Sequence, residues 1–367
     1  MTDIPKQRIL SLDTLRGFDM FWIIGGDIFF KTLGKQTSWS WVDSIAKQMD
    51  HAAWEGFYAY DLIFPLFMFI SGIAIPFAMF GKIEKGGAKK EIYYKIIKRA
   101  SILILLGLIY NGLLTFQFNT LRAASVLGQV GLAYLIASII AINFRSFKSI
   151  FIWVIGILVF YSILQLAIPI PNYPAGTLTP EGAINGYIDR IFLPGKLYGK
   201  VFDPEGLLCI FSASAITLMG TLAGLILRSN SLSPYKKVIL YTIIGFSLIV
   251  IALLLSSWYP IIKSIWTSTF NLLTGGISFI LFALFYLIID VWKFQKWTFL
   301  FRVIGLNSIT IYMATCMIDF KATATFVFGG FSTFFGNLQP AILILCMIIV
   351  EWVFLYFLYK KNIFIKV

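Results

Sequence analysis

The sequence predicts an all-α, polytopic integral membrane protein of about ten transmembrane helices with both termini cytoplasmic. Three observations carry that prediction. Hydrophobic residues make up 59% of the 367 residues and charged residues 13%, with a mean hydropathy of +0.85, outside the range of water-soluble domains. Apolar windows of about 20 residues, the length an α-helix needs to cross roughly 30 Å of hydrocarbon, recur along the chain. The short alternating segments of a β-barrel are lacking. Finally, Lys and Arg collect in alternate connections between the windows.

The windows fall at about 16–34, 57–80, 97–117, 124–143, 149–169, 206–228, 236–257, 267–291, 298–318 and 339–359. An even number of crossings puts both ends on one side. That side carries 21 of the 30 basic residues, including Lys6, Arg8, Arg16, the cluster from Lys82 to Arg99, and Lys366. The positive-inside rule assigns it to the cytoplasm and places His51 outside. The same distribution explains the net charge of +13 without a nucleic-acid partner. Cys209, Cys316 and Cys346 all lie in apolar windows and read as packing residues, and no metal site is expected. Met1 to Leu15 has no small-residue cleavage site, so no removable signal peptide is expected. No internal repeat is evident. The expectation is a single transmembrane domain over 1–367 with one outer-face loop at about 169–205. Aromatic and basic residues in that loop, Tyr187, Arg190, Phe192, Lys196 and Tyr198, suit a carbohydrate or the membrane interface equally.

Chemistry concentrates in one stretch, from His51 to Gly72. His51 is the only histidine in the chain. Imidazole titrates near neutrality, so one such residue suffices for a general base; the alternative is an interfacial ring at headgroup depth. Ionisable groups inside the apolar windows are expensive, and four stand out: Asp19, Asp27, Asp61 and Glu351. A rise of about 1.5 Å per residue puts Asp27 roughly 16 Å above Arg16 and Asp61 roughly 9 Å below Glu55. Both acids then belong to one cavity in the outer half, with His51 at its mouth. In a straight helix His51 and Asp61 would be about 15 Å apart, so contact between them requires an irregular entry to the second window. For Asp27 the competing reading is a pair with Lys31 at i+4. Asp19 reads as wetted near the inner face, and Glu351 as paired with a polar group of a neighbouring helix. Pro65 and Pro76 bend the second window.

Five stretches resemble the heparan-α-glucosaminide N-acetyltransferase family, in the same order along the chain. Ser11-Leu-Asp13-Thr14-Leu-Arg16-Gly17 is similar to that family's entrance to a transmembrane helix. His51-Ala-Ala-Trp54-Glu55-Gly56 and Asp61-Leu-Ile-Phe64-Pro65-Leu-Phe67 resemble its His-Ala-Ser-Trp-Asn-Gly and Asp-Leu-Val-Phe-Pro-Trp-Phe. Asp203-Pro204-Glu205-Gly206 and Gly305-Leu-Asn307-Ser308 are similar to two later motifs. The resemblance implies a transmembrane acyltransferase of the bacterial type, without the large lumenal domain of animal members. It would sit in a bacterial inner membrane and move acetyl from cytosolic acetyl-CoA to the amine of a glucosamine-type sugar or glycan end outside. It also implies a lean toward a homodimer in the lipid bilayer.

On that reading the catalytic candidates are His51, Asp27 and Asp61. The family's active histidine falls on His51, and Asp27 stands where the family has asparagine. Ionised, an aspartate accepts but does not donate, so the division of roles differs there. A second departure is Val126-Leu-Gly128-Gln129-Val-Gly131, which lacks the family's arginine. Arg16, Arg99, Asn307 and Ser308 are the candidates for the acetyl donor. Trp54, Glu55, Asp203 and Glu205 are those for the acceptor. His51 would act as general base or as a transient acetyl carrier. The alternatives are a sugar or amino-sugar transporter, motivated by the intramembrane acids, and an O-acyltransferase of a surface glycan.

Overall fold

The computed structural model describes residues 9–84 and 86–365. Lys6, Arg8, Lys85 and Lys366, counted above on the inner face, lie outside them, as does Met1–Arg8 of the segment tested for a signal peptide. Sixteen α-helices follow one another. They are α1 (Leu10–Phe21), α2 (Asp27–Gln36), α3 (Ser40–Gln48), α4 (Ile63–Ile75), α5 (Gly81–Glu84), α6 (Lys89–Tyr110), α7 (Val126–Asn143) and α8 (Phe147–Ala167). The second half adds α9 (Ile184–Phe192), α10 (Leu207–Arg228), α11 (Pro234–Leu255), α12 (Ser268–Tyr286), α13 (Thr298–Leu306), α14 (Ser308–Met317), α15 (Phe320–Ser332) and α16 (Gln339–Lys360). Only isolated bridges stand in for strands among the described residues. Helix is the form that pairs every backbone polar group within its own segment, as hydrocarbon demands.

Seven helical stretches among the described residues are long and apolar enough to cross a bilayer, or eight if the α13–α14 pair, bent by 71°, counts as one. The expected ten is therefore corrected, for identifiable physical reasons. The first window carries Asp19, Asp27 and Lys31 and is interrupted between α1 and α2 by a bulge at Trp22–Gly26, where Gly25 adopts φ 144°. The third is shorter than its apolar run: α6 opens on charged turns and ends at Tyr110, just before Gly112 at φ 95°. The ninth breaks at Asn307. The last continues a helical stretch from Phe320 that folds back at Gly336, φ 53°, so that α15 and α16 form a hairpin with Phe320 against Phe354.

Burial is uneven, as expected of a bundle in lipid. α4, α10 and α12 are buried along most of their length, whereas α8 and α11 expose large apolar side chains such as Phe151, Phe160, Ile243 and Phe246. Small residues let the inner helices approach closely, the usual basis of helix association where no hydrophobic force separates protein from solvent. At the α4–α10 crossing, a Cβ added to Gly72 would lie 2.0 Å from the Thr217 carbonyl oxygen, and one on Gly220 2.0 Å from that of Phe69. The α1–α13 crossing is as tight, with Gly17 against the Phe301 carbonyl and Gly305 against that of Asp13. This second crossing sets Arg16 beside the start of α14.

Segment 169–205, expected as an outer-face loop, is structured. It holds α9, whose Asn185 donates to the Tyr161 hydroxyl at 2.6 Å and accepts from Gln165 at 2.7 Å. Gly72→Val should lower the thermal unfolding midpoint of the detergent-purified protein, an overpacking cost of about 1–3 kcal/mol. Gly81→Ala, whose added Cβ meets nothing within 4 Å, should leave the midpoint unchanged.

Candidate active site

Residues 51–58 are not helical, and that irregularity brings His51 to Asp61. The chain leaves α3, turns at Gly56 with φ 114°, and enters the second window through a short 3₁₀ turn at Ala59–Leu62. Backbone pairing with the loop before α12 holds it there: Gly56 N donates to the Ile261 carbonyl at 2.9 Å, and Glu55 bridges Ile262. His51 Nδ1 lies 2.7 Å from Asp61 Oδ1. The other Asp61 oxygen accepts from the amides of Tyr58 at 3.0 Å and Ala52 at 3.3 Å. Lys263 Nζ is 3.0 Å from the same Oδ1 and 3.0 Å from His51 Nδ1. Four donors around one carboxylate favour its ionised form. With Nδ1–H donated to Asp61, the imidazole lone pair is on Nε2. Burial pushes the Lys263 ammonium below its usual range, and the Asp61 charge opposes that shift.

The His51 side chain borders a cavity of about 210 Å³. Its walls are mainly apolar, from α1, α4, α7 and α14, with Tyr60, Tyr312, Lys263 and Glu205 as polar groups. The Tyr60 ring lies 5.1 Å from the imidazole. Glu205 comes from the outer segment. Arg122 binds Asp203 through Nε at 2.8 Å and Nη2 at 2.5 Å, reaches Glu205 as well, and stacks 4.9 Å over Tyr198. One guanidinium thus serves two carboxylates. Burial, with Asp203 as a like charge, pushes Glu205 up to about 7 although Arg122 opposes it.

A second cavity of about 280 Å³ lies on the Arg16 side. Arg16, Arg99, Asp13, Ser71 and Ser308 line it. Arg16 pairs with Asp13 at 3.5 Å; Arg99 lies 4.1 Å over the Tyr134 ring, and its buried Nε has no partner. Two guanidiniums against one carboxylate make this cavity a fit for an anion such as a nucleotide phosphate.

A family model described as "Domain of unknown function (DUF5009)" matches residues 8–167. The human heparan-alpha-glucosaminide N-acetyltransferase is 26% identical over 362 residues, covering 83% of this chain and 52% of its own length. The mouse protein of the same name is 24% identical over 415 residues, covering 98% of this chain and 60% of its own. The chain is thus similar over most of its length to the human and mouse proteins of that name, and over residues 8–167 to the DUF5009 model. It spans between about half and three-fifths of the length of these relatives.

The family-like motifs fall into two groups. His51, Asp61 and Glu205 meet around the first cavity, and Arg16, Arg99 and Ser308 around the second. Asn307 faces neither reacting group: its amide donates to the Ile363 carbonyl at 3.0 Å and its oxygen accepts from Ile365 N at 3.2 Å, anchoring the C-terminal segment. Asp203 is fully buried on Arg122, Tyr198 N and Glu205 N. Trp54 donates to the Leu178 carbonyl at 2.8 Å and packs on Phe202, while Glu55 is exposed. Asp27 sits beside Tyr60 and pairs with Lys31 at 3.7 Å; Lys31 in turn reaches Asp50 at 3.3 Å. The Tyr60 ring links Asp27 to the histidine. Asp19 is fully buried rather than wetted, and neither of its oxygens has a partner. Glu351 is buried with one oxygen unpartnered and no ion pair among the described residues, so its expected pairing with a neighbouring helix is not formed. Lys263 is the member of the His51–Asp61 cluster that the sequence does not single out, since no local pattern marks it among the basic residues of the connections. Among the described residues no three His, Cys, Asp or Glu side chains are grouped to hold a metal ion.

Asp189 positions Glu205 indirectly, since its carboxylate accepts from Asp203 N at 3.3 Å and Leu207 N at 3.0 Å. Burial pushes it from 3.8 up to about 6 against those two amides. A carboxyl raised on folding holds its proton in the folded state alone, so its stabilisation is complete below about pH 4 and is lost as pH rises to about 6. Asp189→Asn should remove that slope, worth roughly 3 kcal/mol, from the pH dependence of thermal unfolding.

Proposed function

We propose that this protein transfers an acetyl group from acetyl-CoA, entering from the Arg16 side, to the amine of a glucosamine-type sugar in the outer cavity. The observation that carries this reading is the His51–Asp61–Lys263 cluster on a cavity backed by a second, cationic one. The names of the human and mouse relatives support the reaction class, and the excess of basic residues beside Arg16 supports a cytoplasmic donor side. Acetyl-CoA is a charged cytosolic substrate. Its phosphates match Arg16 and Arg99, and its pantetheine arm is slender enough to lie between helices.

The chemistry follows from the groups present. Asp61 holds the imidazole with Nδ1 protonated, and the Nε2 lone pair accepts a proton as the amine nitrogen attacks the thioester carbonyl carbon. The carbon–sulfur bond breaks and the imidazolium returns its proton to the leaving thiolate. Lys263 stays against Asp61, so the carboxylate remains a fixed acceptor throughout. Glu205, across the cavity, offers a carboxylate that accepts a hydrogen bond from the incoming amine and holds it in place. Apolar walls keep bulk water from competing as the nucleophile.

Purified protein given labelled acetyl-CoA and glucosamine should yield N-acetylglucosamine. His51→Ala should lower the rate by about 10²-fold or more, the usual share of a general base. An unchanged rate would remove His51 from the mechanism. Arg99→Ala should weaken CoA binding about tenfold or more, by loss of a charge-assisted contact, as read by ligand-induced thermal stabilisation.

A further inference from the structure

The two cavities are not independent. Phe67 and Ile309 line both of them, one side of each residue facing the His51 chamber and the other the Arg16–Arg99 chamber. The surrounding residues continue in helical register. Along α4, Phe64 borders the outer chamber, Phe67 both, and Ser71 the inner one, positions three and four residues apart on a single face. Along α14, Tyr312 borders the outer chamber, Ile309 both, and Ser308 the inner one. The chambers thus lie end to end. From Ile63 to Ala74 they follow α4 for roughly 17 Å at the helical rise, a distance of the order of an extended pantetheine arm.

We propose that Phe67 and Ile309 form the gate between the chambers and determine the size of the acyl group that passes. This rests on the acyl-transfer reading above and adds a specificity determinant to it. Three observations lead here. First, the partition is apolar: neither side chain has a hydrogen-bonding atom, so parting them breaks dispersion contacts only and leaves no polar group unpaired. Second, the outer chamber, at about 210 Å³ with mostly apolar walls, has room for more than an acetyl methyl. Discrimination between short acyl chains therefore falls to the passage rather than to the chamber beyond it. Third, Ile309 is the second residue of α14, directly after the 71° break at Asn307, where no continuous helix constrains it from the preceding side. Phe67, by contrast, lies mid-helix on α4, four residues after Ile63 and five before the tight Gly72 crossing. The geometry points to Phe67 as the fixed jamb and Ile309 as the side that yields.

The test compares Phe67→Ala, Ile309→Ala and Phe67→Trp with the wild type, using acetyl-CoA and butyryl-CoA as donors and glucosamine as acceptor. CoA binding to the intact protein is measured in parallel by calorimetry, and thermal midpoints establish folding. Removing either side chain should raise the butyryl-to-acetyl ratio of kcat/KM about tenfold or more, the scale on which apolar sites sense added methylenes. Phe67→Trp should slow acetyl transfer by a similar factor while the Kd for CoA stays within about twofold, because the Arg16 and Arg99 guanidiniums that would hold its phosphates are unchanged. Folded alanine variants with the wild-type ratio, or a tryptophan variant of undiminished rate, would overturn the gate and leave the transfer reading standing. A wild type that neither binds CoA nor transfers acetyl would remove both.

Discussion

The bond between His51 Nδ1 and Asp61 Oδ1, 2.7 Å long, requires ten residues of chain to double back where a helix would have carried the two side chains apart. Everything from Ala52 to Tyr58 serves that return. Gly56 takes a left-handed turn, Glu55 and Gly56 pair with the strand-like Ile261–Ile262, and the amides of Ala52 and Tyr58 close on the free oxygen of Asp61. The loop that supplies Ile261 and Ile262 also supplies Lys263. The same backbone pairing therefore shapes the entry to α4 and delivers a cation to the carboxylate. A carboxylate at the head of an apolar helix is expensive unless donors surround it, and here the donors that satisfy it are those that orient the imidazole.

Around this cluster the bundle combines tight and broken helices. Gly72 against Gly220 and Gly17 against Gly305 bring backbones close enough that no side chain fits between them, which makes α4–α10 and α1–α13 rigid references. The breaks lie where the cavities are. The Trp22–Gly26 bulge contributes Ile23 to the His51 chamber, and the Asn307 break lies two residues before Ile309. Freed backbone groups near a break are tolerated in a membrane only where protein or a water-accessible space receives them. At the Asn307 break the backbone stays paired, Asn307 N donating to the Ile304 carbonyl, while the Asn307 side chain binds the C-terminal segment through Ile363 and Ile365, and Ile365 also lines the Arg16–Arg99 chamber.

Segment 169–205 uses another economy of charge. One guanidinium, that of Arg122, faces both Asp203 and Glu205, and the member left less fully satisfied, Glu205, is the one that lines the His51 cavity. Asp203 holds Tyr198 N and Glu205 N, while Asp189 holds the amides of Asp203 and Leu207 at the start of α10. Successive carboxylates thus fix a Pro- and Gly-rich stretch that has no helix or sheet of its own to define it. Asp27 is bound differently, by Lys31 one helical turn away, a local contact that the i+4 spacing alone makes available.

What the sequence by itself determined is what can be summed over neighbouring residues. Hydropathy windows yield an all-α membrane protein, basic residues gather beside Arg16, and the single histidine heads an apolar run because those are properties of short segments. Breaks within windows are lost in the same averaging, which is why Gly25, Asn307 and the early end of α6 reduced ten expected crossings to seven or eight. Contacts between distant segments leave no trace in any window. Lys263 is 212 residues from His51, Arg122 is 81 from Asp203, and Phe67 and Ile309 border the same two cavities from α4 and α14. Tertiary structure alone decided those meetings, because a side chain's partner across the bundle depends on where the chain returns.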